Sequence, residues 1–206
     1  DHGHWEILPD PGRAVIRLDH LLDEFRQADL ARGWREQDEI LICPNMRAAQ
    51  IYVRQPTAVI VDRVARTALR DARVDLVLWH TRLAGASDDR YIVESQRGRL
   101  EFWRGEDGPR HARDAFDTTW SWRGDEKALQ LQTDGTLVDS TEYPNAFERI
   151  AGVLDGPTSG EIWVTAQPGC EFEVPGGNAH VGGASHGARH ALDSLSPVVI
   201  GGAEAT

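Results

Sequence analysis

Apolar and polar positions change their spacing along the 206-residue chain, and each change predicts a different kind of element. Residues 39–43 and 48–53 are short apolar runs joined by a turn, which predicts a β-hairpin. In residues 57–73 apolar side chains recur every three or four positions, which favours a helix with Thr57 as its N-cap. Residues 74–79 are almost continuously apolar, as is typical of a strand covered on both faces.

The spacing becomes alternate from residue 91 to residue 138. Three segments there switch between polar and apolar residues and indicate antiparallel hairpins: 91–94, 99–103 and 128–138. A second helix is predicted where Phe147, Ile150 and Leu154 follow helical spacing up to a Gly-Pro pair. Short apolar runs predict further strands at residues 161–166, 170–174 and 197–200.

This order of elements predicts the fold class. Helices that alternate with fully apolar strands favour an α/β fold with a mainly parallel sheet and helices on both of its faces. The alternating region then forms an antiparallel, β-rich insertion around residues 85–143. In open sheets of this kind the chemistry gathers in loops at the carboxyl ends of the strands, so loops are where candidate residues belong.

Composition excludes several classes of protein. With 40% apolar and 27% charged residues the chain is a globular one, and no apolar run approaches the roughly 20 residues of a membrane span. Its 22 basic and 33 acidic residues leave a net charge of −11, which argues against binding to a nucleic-acid backbone. Cys43 and Cys170 lack metal or disulfide spacing and are expected as buried thiols. The first residues have no signal-peptide pattern, so we expect a cytoplasmic protein unless a signal lies further upstream.

Two loops carry candidate chemistry. Asp1-His2-Gly3 offers a carboxylate oxygen and an imidazole nitrogen side by side, which are ligands that zinc and similar ions accept. The second loop, residues 182–190, presents His186 among glycines and other small residues, where a metal or phosphate meets no steric obstruction. Taken singly, each loop is equally well read as ordinary solvated surface.

Together the two loops resemble the alkaline phosphatase superfamily, and within it the type I phosphodiesterase/nucleotide pyrophosphatase branch. The resemblance rests on Asp1-His2-Gly3, on His186-Gly187, and on the acidic residue, serine, proline and apolar run at residues 193–200. It covers the two ends of the chain, and the residues between them carry no motif of that family. It implies that residues 1–206 are the C-terminal part of a phosphodiesterase-like catalytic domain.

The resemblance also implies the chemistry. Members use two divalent metal ions, commonly zinc and otherwise manganese or magnesium, to hydrolyse small phosphoester substrates. Asp1 and His2 correspond to ligands of the ion that holds the nucleophile, and His186 to a ligand of the other ion. The Thr or Ser nucleophile and the remaining ligands are expected upstream of Asp1, so the isolated chain is expected to be inactive. Sulfatases of the superfamily usually carry Asn where His2 stands, which favours phosphate over sulfate esters.

Some assignments keep an alternative. Arg189 and His190 follow His186 by a short turn, either as phosphate contacts or as surface residues. Asp193 either orients His186 or caps a turn. The tryptophans, including Trp120 and Trp122, either stack on a leaving group or pack in the core. The whole chain, finally, is either part of this hydrolase or a catalytically incompetent α/β module that binds an anion or a protein partner through the glycine-rich loop.

Overall fold

A computed structural model describes residues 3–84 and 89–196. The α-helices within them are α1 (Pro11–Ala14), α2 (Leu18–Leu21), α3 (Ala58–Ala68), α4 (Ala146–Leu154) and α5 (Ala191–Ser194). Their β-strands are β1 (Trp5–Glu6), β2 (Val15–Ile16), β3 (Ile40–Asn45), β4 (Ala48–Val53), β5 (Val74–His80), β6 (Tyr91–Ser95), β7 (Gly98–Arg104), β8 (Arg110–Arg113), β9 (Thr119–Gly124), β10 (Gln132–Thr133), β11 (Val138–Asp139), β12 (Ile162–Ala166), β13 (Glu171–Phe172) and β14 (Ala184–Ser185). Short 3₁₀ helices span Thr81–Ala84 and Glu126–Ala128. None of the helices in these two ranges is long and apolar enough to cross a membrane.

The central element is an eight-stranded sheet with the strand order β3-β4-β12-β5-β6-β7-β9-β8. Every neighbouring pair in this sheet runs antiparallel. The prediction of a mainly parallel, alkaline-phosphatase-like sheet is therefore wrong for this chain. The fold is mixed α/β and dominated by an antiparallel sheet, and among the described strands only the short β2 and β13 pair in parallel.

The prediction failed because a continuous apolar run reports burial on two faces and does not report strand direction. β5 is buried along its whole length. Val77 faces a core that α3 covers, which we call core 1, whereas Leu76 and Leu78 face core 2, which α4 covers. A strand between two helical layers needs apolar residues at every position whether its neighbours are parallel or antiparallel, so the sequence pattern is the same in both cases.

Several local predictions are confirmed. β3 and β4 form the predicted hairpin, with Ile42 opposite Ile51. Thr57 caps α3, because its side chain accepts a hydrogen bond from the backbone N–H of Ile60 at 3.4 Å. The strand predicted at residues 197–200 lies outside the described residues.

The region predicted as an insertion, residues 85–143, joins the main sheet. Its strands β6, β7, β9 and β8 pair in series, and β6 pairs directly with β5. The remaining strands of this region, β10 and β11, form a separate two-stranded ribbon. The antiparallel hairpins of this region are thus confirmed, whereas its status as an insertion into a larger domain stays a prediction.

Core 2 is built on aromatic rings. Phe102 stacks on Phe147 of α4 with ring centroids 4.4 Å apart, and Trp120 and Trp122 lie against the same Phe147 ring. Both tryptophans are at most 1% exposed. Packing between sheet and helix, rather than stacking on a leaving group, is therefore what these two side chains do in this structure.

The pairing of β7 with β9 predicts a specific glycine requirement. Gly124 has a φ of +102°, and a β-carbon there would lie 2.4 Å from the carbonyl oxygen of Arg99. Gly135 also has a positive φ, +90°, but has open space around it. Gly135→Ala should therefore cost about 1 kcal/mol of unfolding free energy, for backbone strain alone. Gly124→Ala should cost more than about 2 kcal/mol, because it also separates two strands of the sheet.

Urea unfolding of the two variants beside the parent chain measures both losses. Equal losses in Gly124→Ala and Gly135→Ala would contradict the described register of β7 and β9.

Candidate functional site

Residues 4–7, which follow the Asp-His-Gly motif, meet the loop at residues 182–190 in the structure. β1 pairs antiparallel with β14, with Trp5 opposite Ser185. The pairing continues through hydrogen bonds that join Ile7 to both Gly182 and Gly183 at 3.1 and 2.9 Å. Residues close to the start of the chain are therefore held beside the loop that carries His186.

Contacts at the open end of this pairing are close. The rings of His4 and His186 meet edge to face, with centroids 5.3 Å apart. Gly3 lies against α5 so closely that a β-carbon on it would fall 1.9 Å from the carbonyl oxygen of Leu192. Only a glycine fits at this position in the described arrangement. Steric exclusion of a side chain therefore explains why the third residue of the Asp-His-Gly motif is glycine in this chain.

The three predicted metal ligands are described unequally. Asp1 and His2 lie outside the described residues, and His186 is half-buried beside His4. Across residues 3–84 and 89–196, no group of three His, Cys, Asp or Glu side chains is placed to hold a metal ion. The two-metal site therefore stays a prediction, of which the structure describes one ligand and its surroundings.

A buried ion pair holds the His186 loop in place. Arg47 lies in the turn between β3 and β4, and its side chain and that of Asp193 are both fully buried and paired with each other. The backbone N–H of Arg47 also donates to the carbonyl of His186 at 3.1 Å, and the second carboxylate oxygen of Asp193 accepts from the N–H of Ala188 at 3.3 Å. Asp193 thus acts on the backbone of the loop through Arg47 and Ala188, and the loop cannot shift without disturbing this pair.

Arg47 also ties the loop to the main sheet. Its Nη2 donates to the carbonyl of Ala166, at the end of β12, and its Nε to the carbonyl of Cys170, both at 3.1 Å. The remaining side of the guanidinium faces Asp193. A buried guanidinium with carbonyl and carboxylate partners on all sides has its charge and donors satisfied, which is the condition for burying it without a large penalty.

His190 serves as a cap in the described structure. Its Nδ1 accepts from the N–H of Leu192 at 3.4 Å, at the start of α5, and its Nε2 lies 2.7 Å from a carboxylate oxygen of Glu142. The ring is edge-on to those of Trp5 and Tyr143. Both ring nitrogens therefore face protein groups, and the predicted contact of His190 with substrate stays a prediction.

A second buried polar network lies behind His190. The Tyr143 hydroxyl donates to Asp75 at 2.8 Å, and Arg97 donates to the same carboxylate at 3.0 Å. Burial raises the pKa of the Asp75 carboxyl, and the charge of Arg97 opposes that rise. Burial also raises the pKa of the Tyr143 hydroxyl, so this group stays protonated and remains a hydrogen-bond donor. The network anchors the segment that leads into α4 and fixes the Tyr143 ring, against which the ring of His190 packs.

Arg189 has a different environment from Arg47. Its guanidinium lies over the ring of Trp163, 5.7 Å from the centroid, and its Nε is buried without a hydrogen-bond partner among the described residues. Burial, with a smaller contribution from the charge of Arg149, lowers the pKa of Arg189 to about 10. Arg149 itself donates to the carbonyl of Arg189 at 3.2 Å and to the Ser194 hydroxyl at 2.6 Å. The predicted substrate contact Arg189 thus stands beside a second cation.

A cavity of about 590 Å³ lies elsewhere, between α2, the turn after it, β3 and the segment after β13. Its polar lining includes Arg17 and Glu173, which pair with each other at 2.7 Å. None of the candidate residues named above lines it. The site is therefore defined by its chemistry and by the meeting of the two loops rather than by this cavity.

No protein-family model, curated protein or solved structure matches the chain. The site is accordingly described from its own geometry. Sequence reasoning missed Arg47, Arg149 and Glu142, which support the His186 loop. Arg47 and Asp193 are 146 residues apart, and neither lies in a pattern that links it to the other, so no signal in the sequence could have paired them.

The Arg47–Asp193 pair makes a prediction for stability. Arg47→Met or Asp193→Leu leaves the other charge buried and unpaired, and we expect each to lower the unfolding free energy by about 3–5 kcal/mol. The double variant should lose clearly less than the sum of the two, because it strands no charge. Arg123→Met, which breaks the exposed pair of Arg123 with Glu101 at 2.8 Å, should cost less than about 1 kcal/mol.

Urea denaturation of the four variants provides the double-mutant cycle and its control. Losses that simply add in the double variant would show that Arg47 and Asp193 do not stabilise the fold as a pair.

Proposed function

We propose that this chain takes part in the metal-dependent hydrolysis of phosphoric esters, with Asp1, His2 and His186 as ligands of divalent metal ions. The observation that carries the proposal is the pairing of β1 with β14. It brings the residues that follow Asp1-His2 against His186, so two loops at opposite ends of the sequence face one small region.

The proposed donors suit such ions. One carboxylate oxygen and two imidazole nitrogens match the preferences of zinc, with manganese or magnesium as the other options. Bound there, two divalent ions would neutralise charge on the phosphoryl oxygens and favour the ionised form of a hydroxyl nucleophile. The described residues position the proposed ligand His186 and the start of the described chain. Arg47 and Asp193 fix the backbone on both sides of Gly187, and Gly3 packs on α5.

The proposal also covers the nucleophile, the remaining metal ligands and the substrate. No residue assigned above is a nucleophile, and the Thr or Ser nucleophile with the remaining ligands is assigned to protein outside these 206 residues. The substrate is a small phosphoester, which Arg189 and His190 are proposed to contact. A chain of net charge −11 needs such local cations to attract an anionic substrate.

A second candidate is a binding module without catalysis, which takes an anion or a protein partner through the loop at residues 182–190. It is favoured by Arg189, whose Nε has no partner among the described residues. The two candidates differ in their need for metal: the hydrolase proposal requires metal binding through His186, and the binding module does not.

Zinc titration by calorimetry tests the proposal. The chain should carry a short neutral extension before Asp1, so that its α-amino group cannot act as a ligand. We expect zinc binding that His186→Ala weakens by at least about tenfold, because losing a ligand costs no less than losing a group that only hydrogen-bonds to a ligand. Asp1→Asn and His2→Ala should weaken binding as well. The control is His111→Ala, at an exposed position in β8.

Zinc affinity that is the same in His186→Ala as in the parent would overturn the assignment. Nitrophenyl phosphodiesters provide the second measurement, and we expect no turnover by the 206-residue chain. Chelator-sensitive turnover by the chain alone would contradict the placement of the nucleophile outside it.

A further inference from the structure

Two arginines contact or belong to the loop of His186, and their surroundings are opposite in character. Arg47 holds it with every side of the guanidinium satisfied, whereas Arg189 is inside it with a buried Nε and no ion pair among the described residues. Burying an unpaired guanidinium is costly, because the charge loses hydration without gaining a partner. Such a group is retained where a ligand supplies the missing charge.

The surroundings of Arg189 have an excess of positive charge. Arg47, Arg149 and Arg189 are all within electrostatic range of Asp193, which is one carboxylate for three cations. Asp193 is already committed to Arg47 and to the N–H of Ala188. Glu142 also contacts this part of the chain, but it pairs with His190. In a chain of net charge −11, two neighbouring cations without an ion pair among the described residues, Arg189 on the loop and Arg149 in α4, are a local exception.

We infer that Arg189, with Arg149 beside it, forms a binding site for a phosphate-type oxyanion. A guanidinium presents its donors in a planar fork that matches two oxygens of a phosphoryl group. The Nε of Arg189 is buried, but the residue as a whole is only partly buried, so the rest of its side chain meets solvent and an anion can approach the guanidinium from there. The face of Trp163 holds the guanidinium from one side, which keeps the fork in place in the absence of an anion.

This site deepens the proposed function and rests on it for the identity of the natural ligand. Arg189 is three residues from the proposed metal ligand His186. We expect a substrate that reaches both to carry a free anionic oxygen group in addition to the ester that is cleaved, as an ester of diphosphate does. The site itself requires no metal, so it can be tested separately.

The test measures binding of inorganic phosphate to the chain by calorimetry, with a chelator present throughout. We expect saturable binding in the millimolar range or tighter, and at least about tenfold weaker binding by Arg189→Met and by Arg189→Lys, which keeps the charge but not the fork. Arg123→Met, whose arginine is exposed and paired with Glu101, is the matched control and should bind phosphate like the parent. Because the chelator removes divalent metal ions, phosphate binding in its presence separates this inference from the metal site.

Stability gives a second readout that a structural role for Arg189 would reverse. In chloride buffer of equal ionic strength, Arg189→Met should unfold at the same temperature as the parent or at a higher one, since it removes an unpaired buried charge. Phosphate should raise the unfolding temperature of the parent saturably and raise that of Arg189→Met less. No saturable binding by the parent, binding by both Arg189 variants as tight as that of the parent, or a lower unfolding temperature of Arg189→Met in chloride would each overturn the inference.

Discussion

The buried pair of Arg47 and Asp193 is the interaction on which the region around His186 depends. One guanidinium joins the end of β12, the segment at Cys170 and Asp193 of α5, and the backbone of the same residue holds His186. A buried charge cannot be hydrated by solvent, so losing any of its protein partners would be costly. The turn between β3 and β4 therefore does more than reverse the chain: it fixes the loop that carries the candidate chemistry.

The sheet provides the rigid base for that arrangement. α3 and α4 cover opposite faces of β5, so the central strands are packed on both sides. The ends of these strands are therefore fixed in position. At one end, β1 and β14 pair and residues 3–4 reach His186. Close by, His190 caps α5, and its ring packs against that of Tyr143, whose hydroxyl is hydrogen-bonded to Asp75. The two arginines of this region differ: Arg47 has polar partners at each of its three side-chain nitrogens, whereas the buried Nε of Arg189 has no partner among the described residues.

Sequence reasoning succeeded where the physics is local. The hairpin of β3 and β4, the N-cap at Thr57 and the alternating strands β6 and β7 follow from turn residues, capping and side-chain period, each of which acts within a few residues. It failed on sheet direction, because the apolar run of β5 records burial by two helices and is silent about its neighbours. At the site it proposed residues 182–190 and the Asp-His-Gly motif, which stay predictions, and it missed Arg47, which holds the backbone at His186.

The sequence by itself therefore determined the elements, their apolar faces and the candidate ligands, because propensity, periodicity and side-chain chemistry are properties of short segments. Only the tertiary structure decided that the sheet is antiparallel, that β1 meets β14, and that Asp193 belongs to Arg47 rather than to His186. These choices depend on contacts between residues far apart in the chain, where burial makes each polar group find a partner. The same rule is unmet at the Nε of Arg189, which is the observation that sets this arginine apart from Arg47.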